Sequence, residues 1–279
     1  MKFAICSVVK NENLYIKEWV DYHIGIGVNK IILYDNNPPG GELVSVVLQE
    51  YVDRGIVDIY PVNESKVTGM ESLVDLQMTL YNQCMDQYQD YDWIAFVDVD
   101  EFIVLLRYNN LHCHFNAYSV YNEYDNIIVN WHMMGDPNAL YYEDKPVRER
   151  FQIPINGVYG WYGEESINGD FFVKSFVKPS SEARFTHSIH CTNSSNVCNP
   201  YGLKCRTDEW TTNLIGISHE LIRIDHYFTK SLTECLCKSI GSKHKGTIED
   251  VVDEYKRFNG WSDKHEQVLQ NFIKQHGNK

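Results

Sequence analysis

Asp98 and Asp100 flank Val99 directly after the apolar run Trp93-Ile94-Ala95-Phe96-Val97, and Glu101 comes next. Alternate residues of an extended segment share one side, so these aspartates offer two hard oxygen donors to one divalent cation or one metal-bound diphosphate. Glu101 points elsewhere unless the chain turns. Acidic triplets of this kind are common on solvated turns. What gives this one weight is its place at the carboxyl end of a buried strand, where open α/β sheets bind ligands. The chemistry it suits is the departure of concentrated negative charge, as when a diphosphate leaves a carbon centre.

The elements that must carry this turn are legible as an alternation of periods. Residues 3–9 form an apolar run, and Ile16, Trp19, Val20, His23 and Ile24 then recur at helical spacing before Gly25 and Gly27. A second strand over 30–34 ends in the loop Asp35-Asn36-Asn37-Pro38-Pro39-Gly40-Gly41. Helical patterns over 43–52 and 71–87 bracket a third strand at 56–60, and the fourth is 93–97. This order predicts a mainly parallel central sheet flanked by helices. Beyond residue 110 the spacing predicts a helix over 114–124 and strands at 126–130, 171–177 and 220–224. Two C-terminal amphipathic helices are marked by Ile248, Val251, Val252 and Tyr255, then by Val268, Leu269, Phe272 and Ile273.

Composition narrows the function. In 279 residues, 25 Lys and Arg face 38 Asp and Glu, a balance that argues against charge-driven binding to nucleic acid or anionic lipid. A hydrophobic share of 43% belongs to an ordered globular chain. The start, MKFAICSVVKNE, lacks a long apolar stretch, so the chain is expected to be cytoplasmic, at most peripheral at the inner face of a membrane. The eight cysteines show no paired CxxC framework and are expected to be reduced; Cys191, Cys198 and Cys205 leave a zinc site or disulfides as the alternative.

Several segments, in this order, resemble the glycosyltransferases of A-type nucleotide-sugar fold, and more closely family 92 and its bacterial family 2-like relatives. They are Cys6-Ser7-Val8-Val9-Lys10-Asn11-Glu12 with Glu18-Trp19-Val20 and Tyr22-His23; Tyr34-Asp35-Asn36; Trp93 through Phe102; and His226-Tyr227-Phe228-Thr229-Lys230-Ser231. The resemblance covers roughly residues 3–245. It implies one A-type domain at 1–245, with a nucleotide-sugar half at 1–106 and an acceptor-side half at 107–245; residues 246–279 form a helical extension packed on it. It also implies an inverting hexosyltransferase, with UDP-galactose as favoured donor. The acceptor would be a glycan such as a lipopolysaccharide, capsule or glycoprotein saccharide, and the cofactor a divalent metal, manganese before magnesium.

Roles follow from position and resemblance together. Lys10, Asn11 and Glu12, after the first strand, face the donor edge of the sheet, and Asp35 is placed to accept from base or ribose. Gln77 and Asn82 are donor-lining amides by resemblance. Asp98 and Asp100 are the metal carboxylates, with His226 or His190 completing the set and His187 as rival to the latter. Lys230 offsets diphosphate charge. For the base that takes the acceptor's proton, Asp136 and Glu149 are the candidates, with Glu164 and Glu165 in reserve. Trp131, Tyr159, Trp161 and Tyr162 offer flat faces to sugar rings, and Gly157, Gly160, Gly163 and Gly169 predict a mobile loop. Two other readings accommodate the same acidic turn: a metal-dependent nucleotidyltransferase, and a glycan- or nucleotide-binding module without turnover.

Overall fold

The structure, a computed structural model, describes residues 1–62, 73–155, 158–159, 167–205, 217–240 and 247–276. In chain order the elements are β1 (Phe3–Val9), α1 (Ile16–Gly25), β2 (Lys30–Asp35), α2 (Val44–Asp53), β3 (Val57–Pro61), α3 (Leu73–Gln87), β4 (Trp93–Phe96), β5 (Glu101–Leu105) and α4 (Leu111–Ala117). After these come β6 (Asn126–Gly135), α5 (Val147–Arg150), β7 (Ile153–Pro154), β8 (Val158–Tyr159), β9 (Ile167–Asn168) and β10 (Val173–Val177). The last are β11 (Val197–Cys198), β12 (Lys204–Cys205), β13 (Ile222–His226), α6 (Leu232–Ile240), α7 (Ile248–Asn259) and α8 (Asp263–His276). The helix expected over 114–124 is instead α4 and then a 3-10 turn at Ser119–Glu123. Asn110 caps α4 through the Cys113 N–H at 2.8 Å, which sets its start earlier than the spacing predicts.

The chain divides into two compact units that do not follow chain order. The first holds residues 1–131 and 171–224, the second 132–170 and 225–279. β6 and β13 each begin in the first and end in the second.

In the first unit the strand order is β12-β11-β6-β10-β4-β1-β2-β3, with β5 paired to β13. β4, β1, β2 and β3 run parallel, as the strand–helix alternation requires. The sheet as a whole is mixed and not mainly parallel, because β10 enters antiparallel between β4 and β6 and β12 is antiparallel to β11. The alternation that reveals parallel strands stops at residue 110, and strands brought back by long irregular connections leave no such periodicity. The sheet's core joins Cys6, Ile32, Leu80, Tyr81, Phe96 and Phe185. Cys191 and Cys205 are buried with Ile128, Val173 and Val197. All eight cysteines are unbridged.

In the second unit α6, α7 and α8 bury one apolar cluster that includes Leu236, Val252, Tyr255 and Leu269. Thr247 and Asp250 form a reciprocal capping box at the start of α7, worth about 1 kcal/mol. Arg150 makes two parallel bonds to Glu234, at 2.8 and 2.9 Å, with both side chains almost fully enclosed. Among the described residues no helix is long and apolar enough to cross a membrane.

Candidate functional site

The first unit builds a compact acidic turn. β4 ends at Phe96, and Asp98 to Glu101 reverse tightly, the Glu101 N–H donating to the Asp98 carbonyl at 3.0 Å. The segment is therefore a turn and not the extended stretch expected from the sequence. Glu101 comes back beneath Asp98, whose N–H donates to Glu101 Oε2 at 2.8 Å. Helix α1 clamps the strand that leaves the turn, β5. Its buried Ile16, Trp19, Val20 and His23 obey the i, i+3, i+4, i+7 rule. Trp19 Nε1 donates to the Glu101 carbonyl at 2.7 Å, and Tyr22 Oη to that of Ile103 at 2.8 Å. Ile103 N–H donates to His23 Nε2, which leaves Nδ1 to carry the proton toward the Trp19 carbonyl. The Trp19, Tyr22 and His23 pattern thus has a mechanical reason: it fixes the backbone leaving the turn.

The cation facing this turn comes from β10. Ser175 pairs with Phe96, so Lys174 falls level with the start of the turn. Its Nζ lies 2.6 Å from Asp98 Oδ2 and 3.4 Å from Glu101 Oε2, and the side chain is 1% exposed. Burial works against its charge, but Asp98 and Glu101 outweigh that and hold its pKa above the ordinary lysine value. Gln77, from α3, donates to Asp98 Oδ1 at 3.1 Å and to Tyr81 Oη at 2.6 Å. Asp98 keeps 32% of its side chain exposed, whereas Asp100 is buried. One ammonium thus serves two carboxylates, with a third close by. The fully enclosed Glu101 bears the consequence: burial, with Asp98 and Asp100 nearby, pushes its pKa up to about 8 against the pull of Lys174.

His190 joins the same neighbourhood. Its Nδ1 donates to the Val173 carbonyl at 3.0 Å, and its ring packs edge-on against Trp131 at 5.2 Å. Burial of the ring and the nearby Lys174 push its pKa down to about 3, against that hydrogen bond, so the imidazole is neutral with Nε2 as its acceptor nitrogen. Trp131 also lies under Lys174, 6.0 Å from Nζ to ring centre.

A second constellation ties the loops after β1 and β2. Asp35 Oδ1 accepts from Asn37 N and Nδ2, at 3.0 and 2.7 Å, and Asn37 Oδ1 accepts the Asn11 N–H at 2.9 Å. Asn11 sits at φ 57°, a left-handed conformation that asparagine tolerates better than most residues. The Glu12 carbonyl accepts the N–H groups of Tyr15 and Ile16, opening α1, while Lys10 is exposed beside it. Asn37 is what brings Asp35 and Asn11 together.

Asn82 spends its amide on the backbone of Phe185, accepting at 2.9 Å and donating at 2.8 Å, so it pins a loop. His187 is exposed. His226, Lys230, Asp136 and Glu149 belong to the second unit. There His226 and Lys230 are buried, Lys230 at φ 52°. Asp136 Oδ1 accepts the Asn138 N–H in a local turn at 2.8 Å, and Glu149 is exposed. Glu164, Glu165, Trp161, Tyr162 and the glycines at 157, 160 and 163 lie outside the described residues, as does the side chain of Tyr159.

Sequence reasoning missed Lys174, Asn37 and a part-buried pair in the second unit, His132 Nδ1 to Asp225 Oδ1 at 3.1 Å. Lys174 did leave a trace, a lone cation inside the otherwise apolar run 171–177.

Whether a divalent cation fits can be judged from Asp98. Among the described residues no three His, Cys, Asp or Glu side chains converge as a closed metal cage. Magnesium-type ions are commonly held by one or two carboxylates with the rest supplied by substrate phosphates and water, and a partly exposed Asp98 with a second lone pair on each oxygen meets that requirement.

A parallel strand ending in an anchored acidic turn, with a loop network on the neighbouring strands, is the edge at which open α/β sheets bind ligands. The profile of glycosyltransferase family 92 matches residues 2–208, and the chain belongs to that family. A family 92 protein of Ricinus communis is 28% identical over 108 residues, 38% of this chain and 17% of that protein. One of Oryza sativa subsp. japonica is 27% identical over 101 residues, 36% and 16% of the two chains. The matched part is thus about a sixth of those relatives' length. Among solved structures, S. aureus TarS 1-349 is similar across 99% of this chain and 72% of its own, at 10% identity and a TM-score of 0.40. The same protein in complex with UDP matches 51% of this chain and 38% of its own, at 15% identity and a TM-score of 0.33.

Proposed function

We propose that the chain is an inverting hexosyltransferase that moves a sugar, galactose from UDP-galactose in the first instance, onto a glycan acceptor with a divalent metal. The observation that carries this reading is Asp98, partly exposed at the end of β4 and restrained by Lys174, Gln77 and Glu101. Membership of family 92 supports the reaction class.

In this reading Asp98 and Asp100 would hold the cation, manganese before magnesium, whose charge offsets that of the departing diphosphate. Asp35, through the oxygen that Asn37 does not take, accepts from the base or ribose, and the turn at Lys10-Asn11-Glu12 borders the nucleotide. Neutral His190 offers Nε2 as a further donor atom near Lys174. His226 and Lys230 keep the roles of alternative metal ligand and phosphate counter-charge. Asp136 or Glu149 takes the acceptor's proton, and Asp136 is the better restrained of the two.

A thermal-shift screen of nucleotide sugars with and without manganese tests donor and metal together, because a ligand that binds only the folded chain raises its melting midpoint. UDP-galactose with manganese is expected to give the largest shift. Transfer or donor hydrolysis should vanish on chelation and return with manganese. Full activity in Asp98→Ala/Asp100→Ala would refute the metal assignment.

A further inference from the structure

Among the described residues Lys174 is the most enclosed ammonium, a lysine with 1% of its side chain exposed inside a sheet strand. Such a group is rarely enclosed unless paired, and its partners are Asp98 at 2.6 Å and Glu101 at 3.4 Å. Asp98 is also held by Gln77 through its other oxygen and by Glu101 through its N–H. Three elements, β10, α3 and β5, therefore converge on one residue. Each engaged oxygen keeps a second acceptor direction, so restraint does not consume the carboxylate.

We propose that Lys174 is a positioning residue for nucleotide-sugar binding: a built-in ammonium that fixes the Asp98 carboxylate from the sheet side and leaves its remaining lone pairs for the incoming cation that carries the diphosphate. This rests on the donor-binding reading above. Groups that orient a metal-binding side chain without touching the metal typically govern affinity by about 10–100-fold. Glu101 completes the device by fixing the main chain of Asp98 while sharing the same ammonium.

The test separates positioning from mere support of the fold. Lys174→Met leaves Glu101 enclosed without its ammonium, so it is expected to melt earlier and to bind UDP with manganese about 10–100-fold more weakly. Lys174→Met/Glu101→Gln removes the buried ammonium together with the enclosed carboxyl that faces it. Its melting midpoint should recover most of the loss while its UDP affinity, read by calorimetry below that midpoint, stays at least about tenfold weak. Wild-type affinity in either variant would overturn the assignment, as would a double variant whose affinity recovers in step with its midpoint. Failure of the wild type to bind UDP with manganese at all would overturn the donor reading and the assignment with it.

Discussion

Glu101→Gln gives a sharply signed test of the charge balance at the acidic turn. Glu101 is fully enclosed, and its pKa rises from an ordinary 4.5 to about 8 because burial and two aspartates outweigh Lys174. The folded chain thus retains a proton that the unfolded chain releases. Wild-type stability should fall as pH rises from 4.5, with the loss complete above about 8. At about 1.4 kcal/mol per pH unit, the gap corresponds to about 5 kcal/mol at full ionisation. Glutamine keeps an oxygen for the Asp98 N–H and does not titrate. Urea unfolding of both proteins from about pH 5 to 9 should therefore show the variant's advantage growing with pH and levelling above about 8. A constant difference, or a wild type that gains on the variant with rising pH, would refute the assignment of the proton to Glu101.

Two further outcomes follow from restraints seen elsewhere. Arg150→Met strands Glu234 in an enclosed site and should cost about 3–5 kcal/mol by chemical denaturation, with Arg150→Met/Glu234→Gln regaining much of it. Asn37→Ala removes the link between Asp35 and Asn11, in which the side chain makes hydrogen bonds worth about 1 kcal/mol each; UDP affinity should drop by about tenfold or more while the melting midpoint falls by only a few degrees, and unchanged affinity would count against the loop network as a nucleotide edge.

The first hundred residues are readable because each buried strand and helix writes its own period, and Asp98 comes after a strand too apolar to misassign. The antiparallel entry of β10 is not readable: its run 171–177 says strand, but nothing local says which neighbour it pairs with. The same reason hides Lys174, whose meaning lies in a contact 76 residues away. Asn37 looks like one polar residue among several in a turn, since the bond that distinguishes it spans 26 residues. Asn82 is a further case of a long-range partner hidden from the sequence. An amide in a promising helix reads as ligand-facing, and its bonds to the Phe185 backbone, 103 residues away, leave no local trace. Glu101 lies between these cases, because the tight reversal after Val97 decides its direction.

The antiparallel strand β10 also bears on how the chain can be cut and recombined. Its lysine arrives late in synthesis, long after the acidic turn has left the ribosome, so a nascent chain halted before residue 174 carries Asp98 and Glu101 without their ammonium. The stretch 1–106 is consequently not a portable cassette. A chimera that grafts it onto a foreign C-terminal part would have to import β10 as well, in register with β4, or supply an equivalent cation at the position level with Val97.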